Sequence, residues 1–154
     1  MDVGERWEEL ADLAEKRRDD HVMPFTDAHF MLALTGAGRI EAAQGYLASL
    51  QEFARSGKSE VAEVTGRVGV PLCEGLLAAA QGHYDTAAGI LYGLREALAP
   101  MGASHAQRDV FRQITIDVVT RAGQSDRARQ LLEQRQTQRP GSDWARERLN
   151  ALPQ

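Results

Sequence analysis

A glycine, an alanine five residues on and a leucine nine residues on occur together three times, as Gly38, Ala43 and Leu47, as Gly82, Ala87 and Leu91, and as Gly123, Ala128 and Leu132. The glycines stand 44 residues apart (38 to 82) and 41 residues apart (82 to 123). A period of that size is the mark of stacked repeats, each of which buries its apolar face on a neighbour. The phrase also has a local reading. A glycine ends a helix because it enters the left-handed region at little steric cost. An alanine five residues later, in the next helix, is small enough to let two helices approach, and burying the leucine contributes about 1.5–3 kcal/mol. Each phrase therefore predicts the turn of a helical hairpin.

The apolar spacing around the phrase agrees. Ile40, Ala43, Leu47, Leu50 and Ala54 fall at the same relative positions as Tyr84, Ala87, Leu91, Leu94 and Leu98, and both sets lie on one face of a helix. Ahead of the glycines, Met31 and Leu34, Gly75 and Ala78, and Ile116 and Val119 repeat in step. Prolines disrupt helix interiors, and all five stand outside the expected ones. Pro24 precedes a helix, Pro71 falls in the first turn of another, Pro100 and Pro140 follow two more, and Pro153 is in the tail.

The expected map is a leading helix over about 3–19, hairpins over about 26–56, 71–98 and 104–138, and a closing helix over about 142–151. Residues 58–68 are long for a bare loop and predict a short additional helix. The whole chain of 154 residues reads as one all-α domain, a right-handed α–α superhelix of three hairpins with flanking helices. After Leu132 the third stripe continues into Arg135 and Arg139, which reads as a solvated end. Val3, Trp7, Leu10 and Ala14 form an apolar stripe with no earlier helix to receive it, as in the second helix of a missing hairpin. This predicts a piece of a longer array, or a face covered by another copy.

Several strings are more specific than the hairpin phrase. They are Pro24-Phe25-Thr26-Asp27-Ala28-His29 followed by Leu32-Ala33-Leu34-Thr35-Gly36-Ala37-Gly38-Arg39; Val68-Gly69-Val70-Pro71; Gln81-Gly82-His83-Tyr84; and Gly102-Ala103-Ser104-His105-Ala106-Gln107-Arg108-Asp109-Val110-Phe111. The hairpin phrase resembles the tetratricopeptide repeat, with a longer period than the roughly 34 residues usual there. The strings resemble the C-terminal part of the tetratricopeptide repeat protein 38 family, from about Trp7 to Trp144. Ala103 stands where a second glycine is expected, and the family's larger N-terminal portion is absent. The resemblance implies a helical-repeat protein and leaves its molecular activity open.

Composition narrows the function classes. The net charge of −4 gives no general attraction to nucleic acid or an anionic membrane. The acidic start lacks a following apolar run and no stretch reaches membrane-span length, so a cytoplasmic protein is expected. Cys73 is the sole cysteine, and its leucine neighbours predict a buried structural thiol. Phosphate-loop, nucleophile-elbow and paired zinc-cysteine motifs are absent. The arginines at 121, 127, 129, 135, 139, 146 and 148 lie among acids without interleaved aromatics, the pattern of a solvated terminal face. Asp117 is expected to face a groove or solvent.

The polar candidates lie in the first turns of helices. Ser104 with Gln107 fits a capping box, leaving His105, Arg108 and Asp109 as a titratable ring, a cation and a carboxylate beside free backbone N–H groups, with His105 and Asp109 also spaced to pair at i, i+4. Asp27 and His29 follow Thr26, a candidate cap. If equivalent helices line one face, Asp27, His29, Glu74, His105, Arg108 and Asp109 converge on one groove. A metal bound by the two Asp–His pairs is disfavoured, because neither has H-x-x-x-H spacing or a thiolate. The expected role is a scaffold for a protein or peptide partner, with homodimerisation as one form of it and no cofactor. The alternative is the C-terminal part of an enzyme or small-ligand binder that uses the polar cluster.

Overall fold

Each glycine of the repeated phrase turns the chain through the same set of backbone bonds. Gly38, Gly82 and Gly123 have φ of +72°, +81° and +70°, a region that a side chain would strain. The next residue's N–H reaches five residues back, from Arg39 to Leu34 at 2.9 Å, His83 to Ala78 at 2.9 Å and Gln124 to Val119 at 3.1 Å. This is the Schellman closure, which satisfies carbonyls that the helix end leaves open. Arg39, His83 and Gln124 then share φ, ψ of −81°, 64°; −81°, 62°; and −85°, 66°. Three turns of different sequence thus have one geometry.

The computed structural model describes residues 6–153; Val3 of the leading stripe lies outside them. In chain order the helices are α1 (Arg6–Lys16), α2 (Pro24–Gly36), α3 (Ile40–Ser56), α4 (Glu60–Val64), α5 (Val70–Ala80), α6 (Tyr84–Leu94), α7 (His105–Arg121), α8 (Ser125–Gln138) and α9 (Asp143–Ala151), and no strand occurs among the described residues. A π-helical turn, Thr65–Gly69, joins α4 to α5, and a 3₁₀ turn, Ala99–Met101, precedes α7. The glycine turns link α2 to α3, α5 to α6 and α7 to α8, and the units pack in sequence through α2 on α5 and α6 on α7, with α1 on α2 and α9 on α8 at the ends. None of these helices is long and apolar enough to cross a membrane.

Packing explains the small residues of the phrase. Ala43, Ala87 and Ala128 are fully buried, as are Leu91 and Leu132, whereas Leu47 is half-buried. In the second unit α5 and α6 approach at Gly75, where an added Cβ would stand 2.7 Å from Leu91 Cδ2 and 3.3 Å from Ile90 Cγ2. Cys73 lies fully inside the same cluster, and burial pushes its thiol pKa upward.

Three details depart from the expected map. The short helix expected within residues 58–68 is present as α4, but it does not stand apart, because the backbone stays right-handed helical from α4 through the π turn into α5. Pro71 is therefore inside a continuous helical run. Lacking an N–H and clashing with the carbonyl four residues back, it favours a wider turn, and Val70 N–H donates five residues back to Thr65 O. α6 ends at Leu94 rather than Leu98; Leu98 is buried just ahead of the 3₁₀ turn that contains Pro100. Thr26 is no cap, since α2 starts at Pro24 and its N-cap, Met23, makes no side-chain bond.

Gly75→Ala should lower the unfolding free energy by about 1–3 kcal/mol, because buried Leu91 has no room to yield. Gly89→Ala, with nothing within 4 Å of its added Cβ, should raise it by about 0.5–1 kcal/mol through helix propensity. Urea unfolding of the two variants checks both signs; a destabilising Gly89→Ala or a neutral Gly75→Ala contradicts the packing account.

Candidate functional site

Asp27 is drawn into the interior by partners from two other segments. It lies in the first turn of α2, 2 % exposed, where its Oδ1 accepts from the Tyr46 hydroxyl at 2.6 Å and from His21 Nδ1 at 3.1 Å. His21, buried with φ of +40°, reaches Ser49 Oγ through Nε2 at 2.8 Å, and the Ser49 hydroxyl donates to Asp19 Oδ1 at 2.7 Å. Burial first, and then the bond to Asp27, push the Tyr46 phenol pKa upward. The Ser49 bond, assisted by Arg18, holds Asp19 below its ordinary range. Asp27 Oδ2 is buried without a partner.

Asp27, His21 and Ser49 have the connectivity of a nucleophilic triad, but the surroundings oppose that chemistry. The Ser49 proton is directed at Asp19, so it is not held by the imidazole. Ser49 also sits inside α3, whose backbone N–H groups are engaged in the helix, and Asp19 places negative charge where an oxyanion would need donors. The network instead clamps the α1–α2 connection and α2 onto α3, with the His21 ring packed 5.3 Å from that of Phe53 and 5.6 Å from that of Tyr46.

The string before α7 is occupied by its own turn. Ser104 Oγ accepts from Gln107 N–H at 3.3 Å and Gln107 Oε1 accepts from Ser104 N–H at 2.9 Å, the expected capping box. Gly102 and Ala103 both have positive φ, +94° and +63°, which is why a second glycine would suit position 103. Arg108 turns back and donates to the carbonyls of both, at 2.8 Å to Gly102. It closes the turn from inside.

Asp109 does not pair with His105. Its carboxylate is 10 % exposed and accepts from Arg135 through both terminal nitrogens, at 2.5 and 2.8 Å, from Gln113 at 2.9 Å and from Arg139 at 3.3 Å. Arg135 holds the carboxyl below the usual carboxylate range against the opposing effect of burial. Arg135 is thus no part of a solvated face: its side chain is 11 % exposed, with its guanidinium carbon 5.2 Å from the centre of the Trp144 ring of α9.

The remaining candidates lie apart from these. His29 donates through Nδ1 to Phe25 O at 2.8 Å and packs its ring edge-on to Phe111 of α7 at 5.2 Å. Glu74 accepts from Gln51 at 2.9 Å across α3 and α5. His105 is exposed at the start of α7, and Asp117 pairs with Arg121 at the surface. No hydrogen bond or ion pair joins any two of Asp27, His29, Glu74, His105, Arg108 and Asp109 among the described residues. Nor is any group of three or more His, Cys, Asp and Glu side chains there placed to hold a metal ion.

Sequence reasoning missed His21, Tyr46, Ser49 and Arg135. Only the helical phase of Tyr46 and Ser49, three residues beyond Ala43 and three beyond Tyr46, marks them as facing inward. No family model and no solved structure matches the chain.

Asp109 bound to Arg135 has a lower pKa folded than unfolded, so its contribution is complete above the unfolded value near ~3.9 and is lost as pH falls through the folded value. Asp109→Ala should lower the unfolding free energy at neutral pH by about 3 kcal/mol, and the gap to wild type should narrow below about pH 4. Parallel urea titrations across that range measure it; a gap independent of pH contradicts the assignment. Ala103→Gly should raise the unfolding free energy by about 0.5–1 kcal/mol by removing left-handed strain, read from the denaturation midpoint.

Proposed function

We propose that this chain is a tetratricopeptide-like solenoid of three hairpins, related to the C-terminal part of the tetratricopeptide repeat protein 38 family, and that it works as a non-enzymatic scaffold for a protein or peptide partner. The observation that carries the binding role is the exposed flank of α1, where Leu10 and Leu13 are 45 % and 39 % exposed. They sit three residues apart on α1, along the edge of the face that fully buried Ala11 and Ala14 turn inward, so they form one short apolar stripe. Exposed Val22 and Met23 follow in the connection to α2. An apolar stripe at the end of a repeat array suits continuation by further helices or another protein.

Two further observations support this reading over the enzyme alternative. The repeated turns match the alternation expected of such a solenoid. The polar side chains suited to chemistry are engaged within the fold, Asp27 by Tyr46 and His21, Arg108 by its own turn and Asp109 by Arg135.

Leu10→Glu combined with Leu13→Glu should leave the melting temperature within about 2 °C, since both side chains are substantially exposed. The same variant should lose the self-association or partner capture of the wild-type chain. Sedimentation equilibrium with affinity capture reads both. A wild-type chain that is strictly monomeric and captures nothing, or a variant that associates as well as wild type, overturns the proposal.

A further inference from the structure

A second feature points to a small ligand at a place the repeat phrase does not address. Where α6 ends against α7 and α8, a cleft is lined by Arg95, Glu96, Arg112, Ile116, Leu131 and Arg135. Its cavity volume is ≈ 30 Å³, enough for a water-sized group such as an oxygen of an anion. Ile116 and Leu131 are buried, 3 % and 9 % exposed, and give the cleft an apolar floor against which a charge interacts more strongly than in open water.

The donors around this floor exceed their acceptors. Arg112 has five N–H donors, yet its one hydrogen bond among the described residues is to the neutral Gln138 Oε1 at 3.4 Å, and no carboxylate pairs with it. Arg135 binds Asp109 through its two terminal nitrogens, and its Nε is buried without an acceptor. That pairing leaves the Nε–H edge of the guanidinium outside the Asp109 contact. Arg95 lies over the Tyr92 ring at 4.0 Å and donates to Tyr92 O at 2.6 Å. Glu96, the one carboxylate lining the cleft among the described residues, is mostly exposed, 3.9 Å from Arg95 Nε and 3.5 Å from Gln134 Nε2.

Three guanidinium groups therefore border a small recess, one neutralised by Asp109 and one loosely countered by Glu96. A planar guanidinium fork matches an oxyanion edge in a way that an ammonium does not. We propose that the cleft binds the oxyanion end of a ligand, a carboxylate or a phosphate, with Arg112 as the main bidentate donor. Arg135 Nε–H supplies the buried donor and Arg95 the rim charge. The inference does not depend on the scaffold reading, because it concerns a different face and a different ligand chemistry.

The test follows the Arg112 and Arg135 Nε–H resonances of the ¹⁵N-labelled full chain while inorganic phosphate, or in a second arm succinate, is added at ionic strength matched with sodium chloride. Saturable movement of both resonances with either oxyanion, and none with chloride alone, is expected. The arm that saturates at lower concentration identifies the phosphate or the carboxylate source. Arg112→Gln should weaken binding about tenfold or more, Arg112→Lys, which keeps the charge but not the fork, by a lesser factor, and Glu96→Gln should tighten it. Unchanged amide spectra away from the cleft show that each variant is folded. Failure of both oxyanions to saturate, or wild-type binding by Arg112→Lys and Arg112→Gln alike, overturns the proposal.

Discussion

The molecule depends on one backbone constraint, a positive φ at three equivalent glycines. That angle lets the following N–H reach the carbonyl five residues earlier, which closes one helix and sets the starting angle of the next. Because Arg39, His83 and Gln124 share backbone angles within a few degrees, the alanine four residues after each arrives at the same place against the preceding helix, fully buried in all three cases. Sequence at the exposed positions between the glycines can then vary. The side chain just after each glycine uses that freedom. Arg39 reaches Glu8, Asp12 and Glu15 of α1 at 2.6–2.8 Å, whereas among the described residues no side-chain hydrogen bond or ion pair joins His83 or Gln124 to a preceding helix.

The first unit needs more than the turn, because its long lead-in must be fixed in place. Two devices do this. The His21, Asp27, Tyr46 and Ser49 network ties the α1–α2 connection to α3 through a buried carboxylate, and such a group is costly unless its partners are all present. The π turn before α5 seats against the start of α2, with an added Cβ at Gly69 only 3.3 Å from Pro24 Cβ. Pro71 explains why the helix widens there instead of breaking: a turn closed by Val70 onto Thr65 leaves the missing proline N–H without a structural role.

What the sequence makes legible is local. Gly38, Ala43 and Leu47 announce their geometry because the turn and the close approach depend on residue type at fixed offsets, and the Ser104–Gln107 cap is legible for the same reason. The Asp27 and Asp109 sites are not, because their partners come from other elements: Tyr46 is 19 residues from Asp27, and Arg135 is 26 from Asp109. A carboxylate in a first turn looks the same from sequence whether it faces solvent or a buried phenol. Gly102 and Ala103 fall between these cases, since the expectation of a second glycine points to the left-handed angle but not to the arginine that closes the turn.

Arg135 shows why residue type alone misleads in the third hairpin. Its stripe position follows Leu132, where the earlier units place a leucine, and a cation there reads as solvated. Yet α9 covers α8, and Trp144 lays an aromatic face beside the guanidinium while Asp109 neutralises it. A stacked and paired guanidinium occupies an apolar position through its stem and planar faces, and charge compensation removes most of the penalty of burial. The last unit thus closes with an ion pair and a tryptophan where the inner units use aliphatic packing. The same substitution leaves guanidinium N–H groups beside a small recess, so the closure of the core and the capacity to hold an oxyanion have one structural origin.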